Sequence, residues 1–193
     1  MQNQFKSHNT LPIIWDLKKQ RVDKIDYLIN NLKIDNVRDD DKFKQSVDHI
    51  INTTQIAPIK FEEPKYVDHE YTRRELSITQ QMMGLSRDVY IHTITMAFTG
   101  NSVLFDYRPM ATTINSSDHG ILINNSNQFR IYVELPSINP QQAIANAKEI
   151  MGMTVRYATD NSVDIANWNK EISVLIEQRA AAKREELIRI FGK

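Results

Sequence analysis

Cysteine is absent, and glycine and proline are scarce, at five and six residues in 193. Without cysteine there is no disulfide, no thiolate nucleophile and no cysteine-based zinc or iron–sulfur centre. Five glycines leave little material for phosphate-cradling loops, and none of G-x-x-x-x-G-K-[ST], G-x-G-x-x-G or G-x-S-x-G occurs. An excess of one charge is missing too. Lys+Arg and Asp+Glu both number 24, so the net charge is zero. The balance is local: nine basic and eight acidic residues in 1–54, seven and nine in 55–136, eight and seven in 137–193. A dedicated duplex binder carries a basic stripe, because phosphate neutralisation supplies much of its affinity. No apolar run approaches the ~18 residues of a membrane span, and the N-terminus lacks a signal-peptide core. The chain therefore reads as cytoplasmic and soluble, with no membrane partner.

What is present is strong periodicity. Ile14, Leu17, Ile25, Leu28 and Leu32 form one apolar stripe at helical spacing. Asp39, Asp40 and Asp41 open a second helix, whose face is Phe43, Val47, Ile50 and Ile51 and whose end is Asn52-Thr53-Thr54. From about residue 56 the period changes to two. Phe129 to Leu135 and Val89 to Phe98 are the clearest strands, with Thr99-Gly100-Asn101-Ser102 a turn after the second. Val103 to Tyr107 and Ile121 to Ile123 are expected to be further strands, joined by Ser117-Asp118-His119-Gly120. Ile56 to Phe61 and Tyr66 to Ile78 are weaker strand candidates, and Gln80 to Ser86 reads as a loop. Such short connections favour antiparallel pairing.

Asn139-Pro140 opens the last helical region, with Asn as N-cap and Pro at the first helical position. Ile144, Met151, Ile165, Trp168, Ile172 and Leu175 then recur in a heptad-like register, with a polar fault at Asn161. The expected break is Thr159-Asp160-Asn161-Ser162, whose side chains compete for backbone hydrogen bonds. A helix that long must fold back or find a partner, so those six apolar residues are the candidate interface.

Candidate chemistry is thin. The five histidines, His8, His49, His69, His92 and His119, show no metal-ligand spacing. His92 lies on the apolar face of its strand, where a hydrogen-bonded structural histidine is the simpler reading. Asp118-His119-Gly120 could serve acid–base work but is also an ordinary turn. Asp68 and Glu70 share a strand face and are most simply solvated. Glu63-Pro64-Lys65 matches half of a nuclease motif, yet Pro is excluded from the central strand that motif needs. Basic clusters are limited to Arg73-Arg74 and to Lys183, Arg184 and Arg189, the latter interleaved with acids as on a solvated helix face. No catalytic residue, metal ligand or cofactor site is assigned.

Two stretches carry a resemblance. Val89 to Pro109 includes Phe98-Thr99-Gly100 and Leu104-Phe105 before Pro109. Asp164-Ile-Ala-Asn-Trp-Asn-Lys-Glu-Ile172 is followed by Ile176-Glu-Gln-Arg-Ala-Ala-Ala-Lys183. Over residues 85–192 this resembles the non-catalytic N-terminal half of bacterial proteins that carry a C-terminal restriction-endonuclease-like domain. The resemblance implies a recognition or assembly module acting with a nuclease-type effector in defence. Its nuclease residues have no counterpart here, since the sequence stops about where that domain would begin.

The expected fold is α+β: N-terminal helices over 1–54, an antiparallel sheet of five to seven strands over 55–136, and a long helix or helical hairpin over 137–193. The expected function is a non-catalytic interaction module that self-associates or binds an effector. The alternatives are a small enzyme with a diffuse His92/His119 and carboxylate site, or a nucleic-acid adaptor using the C-terminal basic residues.

Overall fold

The computed structural model describes residues 2–111, 120–122 and 127–191. Its elements in chain order are β1 (Phe5–Lys6), α1 (Ile14–Asn30), α2 (Ile34–Val37), α3 (Asp40–Thr54), β2 (Lys60–Phe61), β3 (Lys65–Arg73), α4 (Ile78–Met82), β4 (Asp88–Thr99), β5 (Ile121–Leu122), β6 (Gln128–Leu135), α5 (Pro140–Ile150) and α6 (Gly152–Phe191). The fold is α+β, with an antiparallel sheet and a long C-terminal helix.

Side-chain caps open α3 and α5, whereas α1 starts after Ile13 without one. The Asp39 carboxylate accepts the Lys42 backbone N–H at 2.9 Å and opens α3. Asn139 does the same for α5, accepting from Gln142 N–H at 3.0 Å, with Pro140 beside it. In the sheet β4 is central. It pairs with β6 on one edge, Ile94 opposite Ile131, and with β3 on the other, Tyr71 opposite Tyr90. β2 extends the β3 edge beyond Glu62-Glu63-Pro64, placing Lys60 opposite Thr99. Among the described residues this sheet has four strands, fewer than expected, because β5 pairs with β1 as a separate ribbon and Val103 to Tyr107 contributes no strand.

α5 covers one face of the sheet, while α6 packs on α1, α2 and α3. The main core joins Ile14 and Leu17 of α1, Ile94 and Phe98 of β4, Ile131 of β6, and Met151 and Ile165. Phe61, Phe98, Phe105 and Phe129 cluster inside it, with Phe105 and Phe129 edge to face at 5.1 Å. A second cluster, Ile25, Ile29, Val47, Ile50, Ile172, Ile176 and Ala180, binds the N-terminal helices to the distal part of α6.

Several expectations are corrected. Val103 to Tyr107 is not a strand: Ser102–Asp106 forms a 3-10 turn capped by Asn101, whose side chain accepts Val103 N–H at 3.1 Å. Leu104 and Phe105 are thereby turned into the core. The loop expected at Gln80 to Ser86 begins inside α4, and of Ile56 to Phe61 only Lys60–Phe61 pairs. The expected strand at Tyr66 to Ile78 ends at Arg73. Ser117, Asp118, His119 and Ile123 lie outside the described residues.

The helix also breaks elsewhere than expected. It is continuous through Thr159-Asp160-Asn161-Ser162 and interrupted at Met151–Gly152. The polar side chains do not attack their own helix's end; they serve tertiary contacts. Ser162 Oγ donates to Ala158 O at 2.6 Å within the helix and accepts Ile59 N–H at 2.8 Å. Asn161 Nδ2 donates to Leu104 O and Tyr107 O at 3.0 and 2.8 Å.

Candidate interaction surface

The six residues of the C-terminal stripe face inward. Met151, Ile165 and Ile172 are buried, and Ile144, Trp168 and Leu175 pack against the two clusters. This corrects the expected interface. The partner demanded by the long helix is the chain's own N-terminal helices, which hold its far end. Arg184 donates to Val37 O at 2.8 Å and ion-pairs with Asp40, Arg179 ion-pairs with Asp26, and Arg38 donates to Phe191 O at 2.7 Å. Of the basic residues offered to nucleic acid, Arg184 is drawn into the same packing. The Arg184 guanidinium lies 4.7 Å from the Phe43 ring centre, and Lys183 pairs with Glu186 at 2.9 Å.

His92 is fully buried, its Nε2 3.2 Å from Ser137 O. Its Nδ1 has no hydrogen-bond partner. Across β3–β4 it stands directly opposite His69, with ring centres 5.8 Å apart. Tyr66 hydroxyl meets His69 Nδ1 at 2.8 Å. No local pattern signals this pairing, because 23 positions separate the two histidines and the register alone aligns them. A ring closed off from solvent offers no route for a substrate to His92. Asp68 and Glu70 are exposed on β3, and Glu63 pairs with Lys148 at 3.0 Å. No group of three or more metal-ligating side chains occurs among the described residues.

Two concavities beside the sheet bear on the site. One, of about 460 Å³, lies at the α5–α6 break, over Phe61, Met96, Met151 and Val155. The other, of about 510 Å³, is lined by Arg73, Arg74, Glu75, Leu76 and Arg87 at the distal end of the β3–β4 hairpin.

That end of the hairpin is the most distinctive surface. Leu76 to Ser86 contains no charged residue, although a quarter of the chain is charged. Its polar groups are used internally. Ser77 and Gln80 form a reciprocal capping box, at 3.3 and 2.9 Å, and Gln81 Nε2 donates to Leu76 O at 2.9 Å. Gly84, at φ +71°, closes the turn, where a left-handed backbone favours glycine. With the polar side chains folded onto the backbone, the apolar ones are left outside. Ile78, Met82 and Met83 are 79, 84 and 74% exposed.

The hairpin beneath is braced. Arg74 N–H donates to Arg87 O at 3.0 Å, and the Arg74 guanidinium reaches Glu134 at 2.8 Å. Tyr71 hydroxyl donates to Asp88 at 2.6 Å, and this bond, followed by burial, holds the phenol above its ordinary value. Burial of an Ile or Met side chain is worth about 1.5–3 kcal/mol, so the three tip residues leave roughly 5 kcal/mol of apolar stabilisation unclaimed. The sequence signal for this helix is Ser77-Ile78-Thr79-Gln80, an S-x-x-Q capping box. The absence of charge over Leu76 to Ser86 was a further clue.

Family models, curated proteins and solved structures yield no match to this chain. Its functional reading rests on the geometry above. No helix among the described residues is long and apolar enough to cross a membrane.

Proposed function

We propose that the chain is a non-catalytic interaction module whose contact element is the end of the β3–β4 hairpin. The observation that carries this reading is the outward placement of Ile78, Met82 and Met83 on a segment whose backbone is satisfied from within. Large apolar side chains held out on a braced support gain stabilisation only when something covers them. The rest of the molecule acts as a scaffold, with the C-terminal stripe packed into the core. The resemblance to the N-terminal half of nuclease-bearing bacterial proteins supports an assembly role beside a nuclease-type effector.

A photo-crosslinking residue placed at Ile78 or Met82, in the cell that makes the protein, tests the reading. Adducts are expected at these positions and not at Tyr27, which is 67% exposed but lies on the scaffold. Equal labelling at all three positions, or none at the tip, overturns it.

A further inference from the structure

We infer that His69 and His92 are the two protein ligands of a site for one late first-row divalent metal ion, of the zinc and copper class. The site lies within the β3–β4 hairpin and does not depend on what covers its tip. Register supplies the first ground. His69 stands directly opposite His92 in an antiparallel pair, so both side chains leave the same face of the sheet. Their ring centres are 5.8 Å apart. An imidazole nitrogen binds such an ion at about 2.0–2.1 Å, which puts the ion about 3.2 Å from each ring centre. Two rings sharing it stand roughly 4.5 Å apart in a right-angled arrangement and roughly 6.4 Å apart in a linear one. The observed separation falls inside that interval.

The second ground is the state of His92. Its Nε2 lies 3.2 Å from Ser137 O, and a carbonyl only accepts, so Nε2 carries the proton. Nδ1 then holds a lone pair. The side chain is fully buried, and Nδ1 has no hydrogen-bond partner among the described residues. Buried polar atoms are almost always partnered, and leaving one bare is costly. A ligating histidine has this form: one nitrogen donates to a backbone carbonyl, fixing the tautomer and the ring, and the other faces the metal.

His69 is oriented in the same manner. Tyr66 Oη meets its Nδ1 at 2.8 Å. The Tyr66 phenol is held above its ordinary value, by desolvation first and by the Asp68 charge after it, so it stays neutral. Tyr66 is therefore an orienting partner and not an anionic ligand. With Nδ1–H donating to that oxygen, Nε2 of His69 offers its lone pair to the ion. His69 is exposed, so rotation of its ring admits an ion, and water completes the coordination. Two neutral imidazoles select zinc, nickel or copper over magnesium and calcium, which take oxygen ligands.

Calorimetric titration of the full chain, freed of metal by a chelator, with zinc chloride tests the site. One zinc ion per chain is expected, and no uptake of magnesium. His69→Ala should weaken zinc binding about a hundredfold and Tyr66→Phe about tenfold, with circular dichroism unchanged. His49→Ala, on α3, should leave it unaltered. His92 is read without substitution: zinc should shift its Nδ1 resonance in the nitrogen-15 spectrum far more than its Nε2 resonance. No zinc uptake, or uptake that His49→Ala weakens as much as His69→Ala, overturns the inference. So does a His92 Nδ1 resonance that zinc leaves in place.

Discussion

Asn161 on the long helix donates through Nδ2 to the backbone oxygen of Tyr107 at 2.8 Å, joining residues 54 positions apart. The same nitrogen reaches Leu104 O at 3.0 Å, and Asn161 is fully buried. A polar residue inside an apolar stripe is therefore the tie between α6 and the turn that inserts Leu104 and Phe105 into the core. Asn161→Ala strands two carbonyls whose partner is gone, and unmade buried hydrogen bonds cost about 1–3 kcal/mol each. A loss of about 3 kcal/mol is expected in urea unfolding. A loss below about 1 kcal/mol contradicts the role.

Lys18 and Asp164 form the ion pair closest to the core. Both carboxylate oxygens lie 2.7 Å from Lys18 Nζ, and the side chains are 11 and 41% exposed respectively. This asymmetry orders the mutants. Lys18→Met leaves a carboxylate that water reaches only in part, since Oδ2 is buried, at about 1–2 kcal/mol. Asp164→Ala leaves an ammonium that water barely reaches, at about 2–3 kcal/mol. Thermal unfolding of the single and double variants checks the order, and the double variant should recover part of the Asp164→Ala loss.

Gly100 and Gly152 should respond in opposite directions to alanine. Gly100 has φ +102°, and a Cβ there would stand 2.2 Å from Pro58 O, inside the backbone that leads into β2. Strain and clash together predict a loss of about 2 kcal/mol or more. At Gly152 a Cβ meets nothing within 4 Å, and the residue is helical. Gly152→Ala should stabilise by about 0.5–1 kcal/mol. Denaturant midpoints of the two variants straddling that of the wild type are the expected result.

Tyr71 reports on the hairpin base through its titration. Asp88 holds its phenol above the ordinary value of 10.0, by the hydrogen bond first and by burial and the carboxylate charge after it. A raised pKa means that the neutral form is the one favoured in the fold. This contribution is complete below the ordinary tyrosine range and is lost as pH rises through the raised value. Asp88→Asn should move the Tyr71 titration downward, followed by ultraviolet absorbance against pH in a variant retaining Tyr71. An unchanged titration would show that the 2.6 Å bond does not persist in solution.

Much of the fold was legible because its signals are short in range. The acidic opening at Asp39, the Asn139-Pro140 start and the alternation in Val89 to Phe98 each depend on neighbours within a turn or a strand. The candidate site was not legible in that way. Ile78, Met82 and Met83 could equally have packed inward, and only the tertiary structure leaves them exposed.

Sequence alone determined the helical stripes, the strand periodicity, the caps, the lack of thiol chemistry and the charge balance. These are properties of adjacent residues and of composition. Tertiary structure decided what covers each stripe: Ile172, Ile176 and Ala180 of α6 pack against Ile25 and Ile29 of α1 and Val47 and Ile50 of α3. It also placed His69 against His92, moved the helix break to Met151–Gly152 and left the hairpin end bare. The physical reason is that periodicity says a face must be buried, while the identity of its cover is chosen among distant segments by packing and by hydrogen bonds such as that from Asn161 to Tyr107.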